Sequence, residues 1–197
     1  MGRTLNAIPG SDPIDIYVNE IPFLLNLDYM ELSTYRPVLP VTGDVKYYPS
    51  GNRDNLLLEL KDYLLQGGQI ITFALVNFSK VMEVLPIFDD INERVSPDKT
   101  KIRIYNLDAS NLTFSLGAIT GSLAPGNGTD YIDINPGRHR LEVQSTNQKT
   151  ININFNPGRI YTIYIVGSIN AESPSYATGN IPQVILAVDG NTIFDKC

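Results

Sequence analysis

Arg3–Gly10 reads RTLNAIPG, and Arg103–Ser110 reads RIYNLDAS. The two stretches keep an arginine and an asparagine at one spacing, Arg3 with Arg103 and Asn6 with Asn106. If they mark the starts of two copies of one unit, later anchors must line up in the same order, and they do. TYRPVLPVTGDVKYYPSGN from Thr34 aligns with DYIDINPGRHRLEVQSTNQ from Asp130, pairing Tyr35 with Tyr131, Pro40 with Pro136, Val45 with Leu141 and Tyr47 with Val143. GGQIITFALV from Gly67 aligns with PGRIYTIYIV from Pro157, pairing Gly68 with Gly158 and Thr72 with Thr162. The offsets drift only as loop insertions would make them drift. Internal duplication is therefore the economical reading.

Each copy has the rhythm of short strands. In the first, Ile14, Ile16 and Val18 alternate with Asp15, Tyr17 and Asn19, so LNAIPGSDPIDIYVNE (Leu5–Glu20) reads as two strands joined by a Pro-Gly bend. In the second, Ile151, Ile153 and Phe155 alternate with Asn152, Asn154 and Asn156, and an Asn-Pro-Gly triplet at 135–137 and again at 156–158 marks a reversal. IYTIYIVG is apolar on both faces apart from Thr162, as a central strand must be. KVMEVLPIFDD and PQVILAVDG each read as a strand returning to the sheet at the end of a copy.

These features predict an all-β chain of two tandem immunoglobulin-like antiparallel β-sandwich domains, residues 1–92 and 101–197, with a linker over 93–100. One segment pulls the other way. DNLLLELKDYLLQGG (Asp54–Gly68) is locally helical, with Asp54 as a candidate N-cap and Gly67-Gly68 as a C-cap, but its counterpart is the strand TININF. The alignment favours a strand from Leu56 to about Lys61, and a helical insertion is the alternative.

Composition agrees. The 197 residues are 43% apolar and 18% charged, with 15 Gly and 13 Pro, the balance of a folded chain rich in turns. Trp is absent, so the tryptophan that packs on the disulfide of antibody domains is missing. Fifteen basic against 21 acidic residues give a formal charge of −6, which argues against nucleic acid and anionic membrane as main partners. The most apolar run, Ile70–Val76, is too short to span a membrane and reads as a buried strand. No apolar run follows Met1, so the expectation is cytosolic synthesis or a mature fragment. Cys197 is the sole cysteine, which excludes an intrachain disulfide and leaves an intermolecular cross-link or an inert thiol.

A resemblance is carried by RTLNAIPGSDPIDIYVNE, by the later LPIFDD with its Ser-Pro linker, and by the re-entry KIRIYNLDAS. These phrases resemble a tandem bacterial domain family of unknown function, similar to immunoglobulin-like and transthyretin-like sandwiches and found in cell-surface and secreted proteins. Glu20 stands where that family usually has glycine, and NLTFSLG in the second copy lacks the proline and the VDVYV phrase. The resemblance implies fold and surface context, and no reaction.

No chemistry-bearing constellation stands out. His139, between Arg138 and Arg140 at a strand start, has no nucleophile-elbow motif, and one His with one Cys cannot close a zinc site. Asp12 with Asp15, Asp89 with Asp90, and Asp130 with Asp133 are the carboxylate pairs weighed for calcium, but none lies in a recognised calcium loop. Asp89-Asp90 reads as a polar strand terminus. LAPGNGTD (Leu123–Asp130) lacks the Lys-Ser/Thr ending of a phosphate loop. Sequons stand at Asn77, Asn111 and Asn127 and matter only in a glycosylating host. Tyr17, Tyr47, Tyr48 and Tyr176 are candidates for an exposed aromatic platform, against the commoner buried strand tyrosine.

The expectation is a non-enzymatic structural module of a bacterial envelope or spore coat, serving as spacer or assembly unit, with no catalytic, cofactor or metal residues. Its partners are other proteins or its own copies. The alternative is a module that recognises a glycan, peptide or protein through its end loops.

Overall fold

The structure, a computed structural model, describes residues 1–37, 42–64, 68–78, 80–89, 95–167 and 181–189. Among the described residues the regular structure is all strand. The chain divides into two compact units, residues 1–89 and 90–197.

The first unit contains β1 (Gly2–Asn6), β2 (Ile14–Val18), β3 (Ile21–Leu27), β4 (Thr42–Pro49), β5 (Leu58–Leu64), β6 (Ile71–Val76) and β7 (Glu83–Phe88). They form two sheets of order β1-β6-β7 and β3-β2-β4-β5. Only β1 and β6 pair in parallel; the other neighbours are antiparallel. The alternation seen in the sequence decides what lies inside. Ile14, Ile16, Leu24, Leu27, Val45, Tyr47 and Leu75 meet in the core between the sheets. Asp15 and Tyr17, one residue out of phase, face away from it.

The second unit contains β8 (Thr100–Leu107), β9 (Leu112–Leu116), β10 (Ile119–Leu123), β11 (Ile132–Ile134), β12 (Gly137–Gln144), β13 (Gln148–Phe155), β14 (Ile160–Val166) and β15 (Gln183–Val188). Its sheets, β11-β8-β14-β15 and β10-β9-β12-β13, repeat the order of the first unit with β11 added at one edge. The core is larger here and takes Ile102, Ile104, Phe114, Leu116, Leu141, Ile153, Phe155 and Ile163 from both sheets. β14 is buried along its whole length between β8 and β15, as its two-sided apolar pattern requires. Gly158, at φ 68°, supplies the left-handed residue of the turn into it.

The contested segment resolves as strand. β5 runs from Leu58 to Leu64, two residues later at its start than the alignment placed it and three longer at its end. Tertiary pairing with β4 outweighs the local helical propensity of LLLELKDYLL. The segment TDYIDI yields only the three-residue β11.

Parallel pairing of the first and penultimate strands has a topological consequence. Gly2 pairs with Ile71, and Ile71 pairs with Phe88, so the chain enters and leaves the first unit at one end of the sheet. The second unit behaves alike: Lys101 pairs with Ile160, whose carbonyl accepts a hydrogen bond from the Asp189 N–H. Entry and exit are two strand spacings apart, about 10 Å.

Candidate functional site

At that entry end each unit buries a charged cluster. Arg3 and Thr72 are cross-strand partners in β1 and β6, on the sheet face opposite the core residues Phe73 and Leu75. The Arg3 Nε–H donates to the Thr72 hydroxyl at 2.8 Å, and that hydroxyl donates to Asp89 Oδ2 at 2.7 Å. Tyr35 donates to the same carboxylate oxygen at 2.8 Å, and its ring lies 4.4 Å from the Arg3 guanidinium carbon. Arg3 Nη2 is 3.8 Å from Asp89 Oδ2, and the two side chains are 4% and 0% exposed.

The second unit carries the same four residue types. The Arg103 Nε–H donates to the Thr162 hydroxyl at 2.7 Å, and Thr162 donates to Asp189. The Tyr131 hydroxyl reaches Asp189 Oδ2 at 3.1 Å, its ring lies 4.6 Å from the Arg103 guanidinium carbon, and Arg103 Nη2 stands 3.9 Å from Asp189. A buried charge is tolerated only when paired and hydrogen-bonded, and each clasp meets that condition. Its members come from the first strand, the penultimate strand, the residue after the last strand, and the segment that precedes the β4 or β12 strand. It fastens the chain where it enters to the chain where it leaves.

Sequence comparison paired Arg3 with Arg103, Tyr35 with Tyr131 and Thr72 with Thr162, but it missed the two aspartates. Asp89 reads as a solvated strand end and lies 5% exposed instead. Aligning EVLPIFD (83–89) with QVILAVD (183–189) brings the two acids into register.

The paired asparagines also have a shared task. The Asn6 amide donates to the Leu27 carbonyl at 3.2 Å and its oxygen takes the Ile8 N–H at 3.1 Å. The Asn106 amide donates to the Leu123 carbonyl at 3.0 Å, and its oxygen takes the Asp108 N–H at 2.9 Å. Each asparagine pins the loop that leaves its unit's first strand.

Three further carboxylates, Asp15, Asp108 and Asp133, are drawn into local structure. Burial alone pushes Asp15 upward, but N–H groups of Gly51 and Asn26, at 2.9 and 2.8 Å, and a bond from Ser50 hold its carboxyl below the ordinary value. Burial pushes Asp108 up, and backbone bonds from Ser110 and Ala109 only partly offset this. Asp133 stands 4.0 Å from Lys101 Nζ. Among the described residues no three His, Cys, Asp or Glu side chains cluster as metal ligands would. Asp90, Tyr176 and Cys197 lie outside the described residues.

His139 is half-buried. Its Nε2 is 2.8 Å from the Asn135 carbonyl and its ring centroid 5.6 Å from that of Phe155, which is a strand-end packing role. The described tyrosine candidates, Tyr17, Tyr47 and Tyr48, sit below the surface. Tyr47 points into the core, where burial and Tyr63 raise its phenol. Tyr17 and Tyr48 pack edge to face at 5.7 Å on the outer face of the sheet, and the Arg53 guanidinium carbon covers the Tyr17 ring at 4.3 Å. A cavity of about 30 Å³ lies in the first unit against Thr4, Val18, Phe23, Tyr63 and Phe73, room for one or two waters. No helix among the described residues is long and apolar enough to cross a membrane.

Residues 3–115 match the family model described as a domain of unknown function (DUF4397). No curated protein matches the chain. Among solved structures, the N-terminal domain of AlgF from P. aeruginosa is similar at 19% identity, covering 47% of this chain and 98% of that one, with a TM-score of 0.32.

Proposed function

The chain belongs to the DUF4397 family of unknown function, and on that premise we propose that it is a non-enzymatic structural module of a bacterial envelope or spore coat layer, acting as an assembly unit. The observation that carries this reading is the use made of buried ionisable groups. Arg3, Asp89, Arg103 and Asp189 are 0–5% exposed and tie strands to one another, with none offered to a substrate. Catalytic acids and bases need access to a reacting atom within hydrogen-bond reach.

The position of each unit's entry and exit favours assembly over spacing. Crossing a unit advances the chain by about 10 Å, the width of two strand spacings, although a seven-residue strand such as β14 is over 20 Å long. A rod-like spacer would use the long dimension. The immunoglobulin-like and tandem-copy readings belong to this proposal, supported by the recurrence of one sheet order in both units. The same geometry supports the alternative of a binding module, because loops 7–13 and 107–111 lie at the end away from the connections.

The test is fractionation of the producing cells, with antibody detection in envelope, spore-coat and soluble fractions. Retention in an extraction-resistant envelope or coat layer supports the proposal. Recovery in the soluble fraction alone overturns it.

A further inference from the structure

Most sheet edges among the described residues carry a device that discourages pairing. The outer edge of β1 is bridged by Arg36 and Leu32. β3 contains Pro22, two register shifts and Asn26 at φ 58°. β5 is opposite a register shift and has Asp62 at φ 48°. β7 contains Pro86, β10 is five residues long with Gly121 inside, and β11 has three residues. β15 adjoins segments outside the described residues.

The β13 edge is different. It pairs with β12 over eight residues, Gly137 with Phe155 through Gln144 with Gln148, in unbroken register. It has no proline, no glycine, no residue at positive φ and a single charge, Lys149. Among the described residues no other strand pairs with its outer side. Gln148, Thr150, Asn152 and Asn154 face solvent, whereas Ile151, Ile153 and Phe155 face the core. A flat edge of this kind leaves a row of backbone N–H and C=O groups ready for another strand.

We propose that β13 is a self-association edge, through which two copies of this chain pair antiparallel about a two-fold axis centred on Asn152. This rests on the assembly-unit reading above and names its contact. The charge pattern selects a second copy. In that register Asn152 meets the partner's Asn152 and Thr150 meets the partner's Asn154, so the outer face becomes an uncharged amide and hydroxyl ladder. On the inner face Ile151 meets the partner's Ile153, and Lys149 meets the partner's Phe155, so no like charges oppose. The apolar rows of the two cores become continuous. Such an interface is isologous, so it closes at a dimer. One strand pair buries little surface, and the dimer is weak.

The test is light scattering of the full chain in reductant, which removes any Cys197 bridge, at concentrations from about 1 to 100 µM, a span suited to a weak interface. The wild-type mass is expected to rise from 21.8 kDa towards twice that value. Asn152→Lys and Asn152→Glu each oppose like charges at the two-fold axis, and each is expected to raise the dissociation constant at least about tenfold. Their equimolar mixture places Lys against Glu and is expected to dimerise again. Matching thermal unfolding of the three proteins shows that the exposed substitution leaves the fold intact.

A wild-type chain that stays monomeric throughout overturns the proposal. So does a dimer that Asn152→Lys leaves unchanged. Either result leaves the structural-module reading standing, because cell fractionation decides that separately.

Discussion

Asp89 Oδ2 accepts the Tyr35 hydroxyl at 2.8 Å although 54 residues separate them, and the Thr72 hydroxyl takes a second position on that oxygen at 2.7 Å. Asp189 repeats both contacts with Tyr131 and Thr162. A carboxylate beyond the last strand thus closes each unit over its own first strand.

Removing that carboxylate strands an arginine in a buried site. Asp89→Ala is expected to destabilise the first unit by about 3–5 kcal/mol, and Asp189→Ala the second by a similar amount. Urea unfolding measures both. The double variant Arg3→Met/Asp89→Leu removes the uncompensated charge and is expected to recover most of the loss. If the double variant is as unstable as the single one, packing by the acid matters more than its charge.

Asp15 makes the first unit acid-sensitive. Its carboxyl is held below the ordinary value of 3.8 in the folded chain, so its contribution is present at neutral pH and is lost as pH falls through the folded value. Asp108 is raised, so its contribution has the opposite sign: it is present below the ordinary value and lost as pH rises through the folded one. Asp15→Asn is expected to flatten the acid limb of a stability–pH profile, and Asp108→Asn to steepen it. Urea midpoints between about pH 2.5 and 6 bracket ordinary carboxylate titration and decide the point.

Thr4 lines the cavity of the first unit where the aligned position in the second is the fully buried Ile104. Thr4→Ile adds apolar volume to a space of about 30 Å³. A gain of about 1 kcal/mol is expected, the order of one buried methylene. A loss in thermal unfolding would show that the space is too narrow and the core overpacked.

Gly128 lies against the ring of Tyr105, and a Cβ there would stand 2.6 Å from the ring carbon Cζ. Gly128→Ala is expected to cost about 1–3 kcal/mol as an overpacked contact. Combining it with Tyr105→Ala relieves the clash, so the two effects must be non-additive in a double-mutant cycle.

The sequence alone determined β2 and β13, because period-two alternation in IDIYV and TININF states which side chains must leave water. It also placed Arg3, Tyr35 and Thr72 beside their second-unit counterparts, since three anchors in one order leave little freedom in the alignment. Local chemistry could not decide the stretch 58–64. LLLELKDYLL favours a helix on its own, and pairing with β4 supplies the hydrogen bonds that make it a strand. Nor could it decide the fate of Asp89. A carboxylate at the end of an apolar strand reads as solvated until a parallel β1–β6 pair brings Arg3 and Thr72 beside it and the segment before β4 adds Tyr35. The tyrosines went the same way: Tyr17 and Tyr48 sit on the outward phase of their strands, and Arg53, from the connection between β4 and β5, covers them. Alternation is a property of neighbours along the chain, whereas burial of a charge depends on partners that arrive from far away in sequence. Only the tertiary structure assembles those partners.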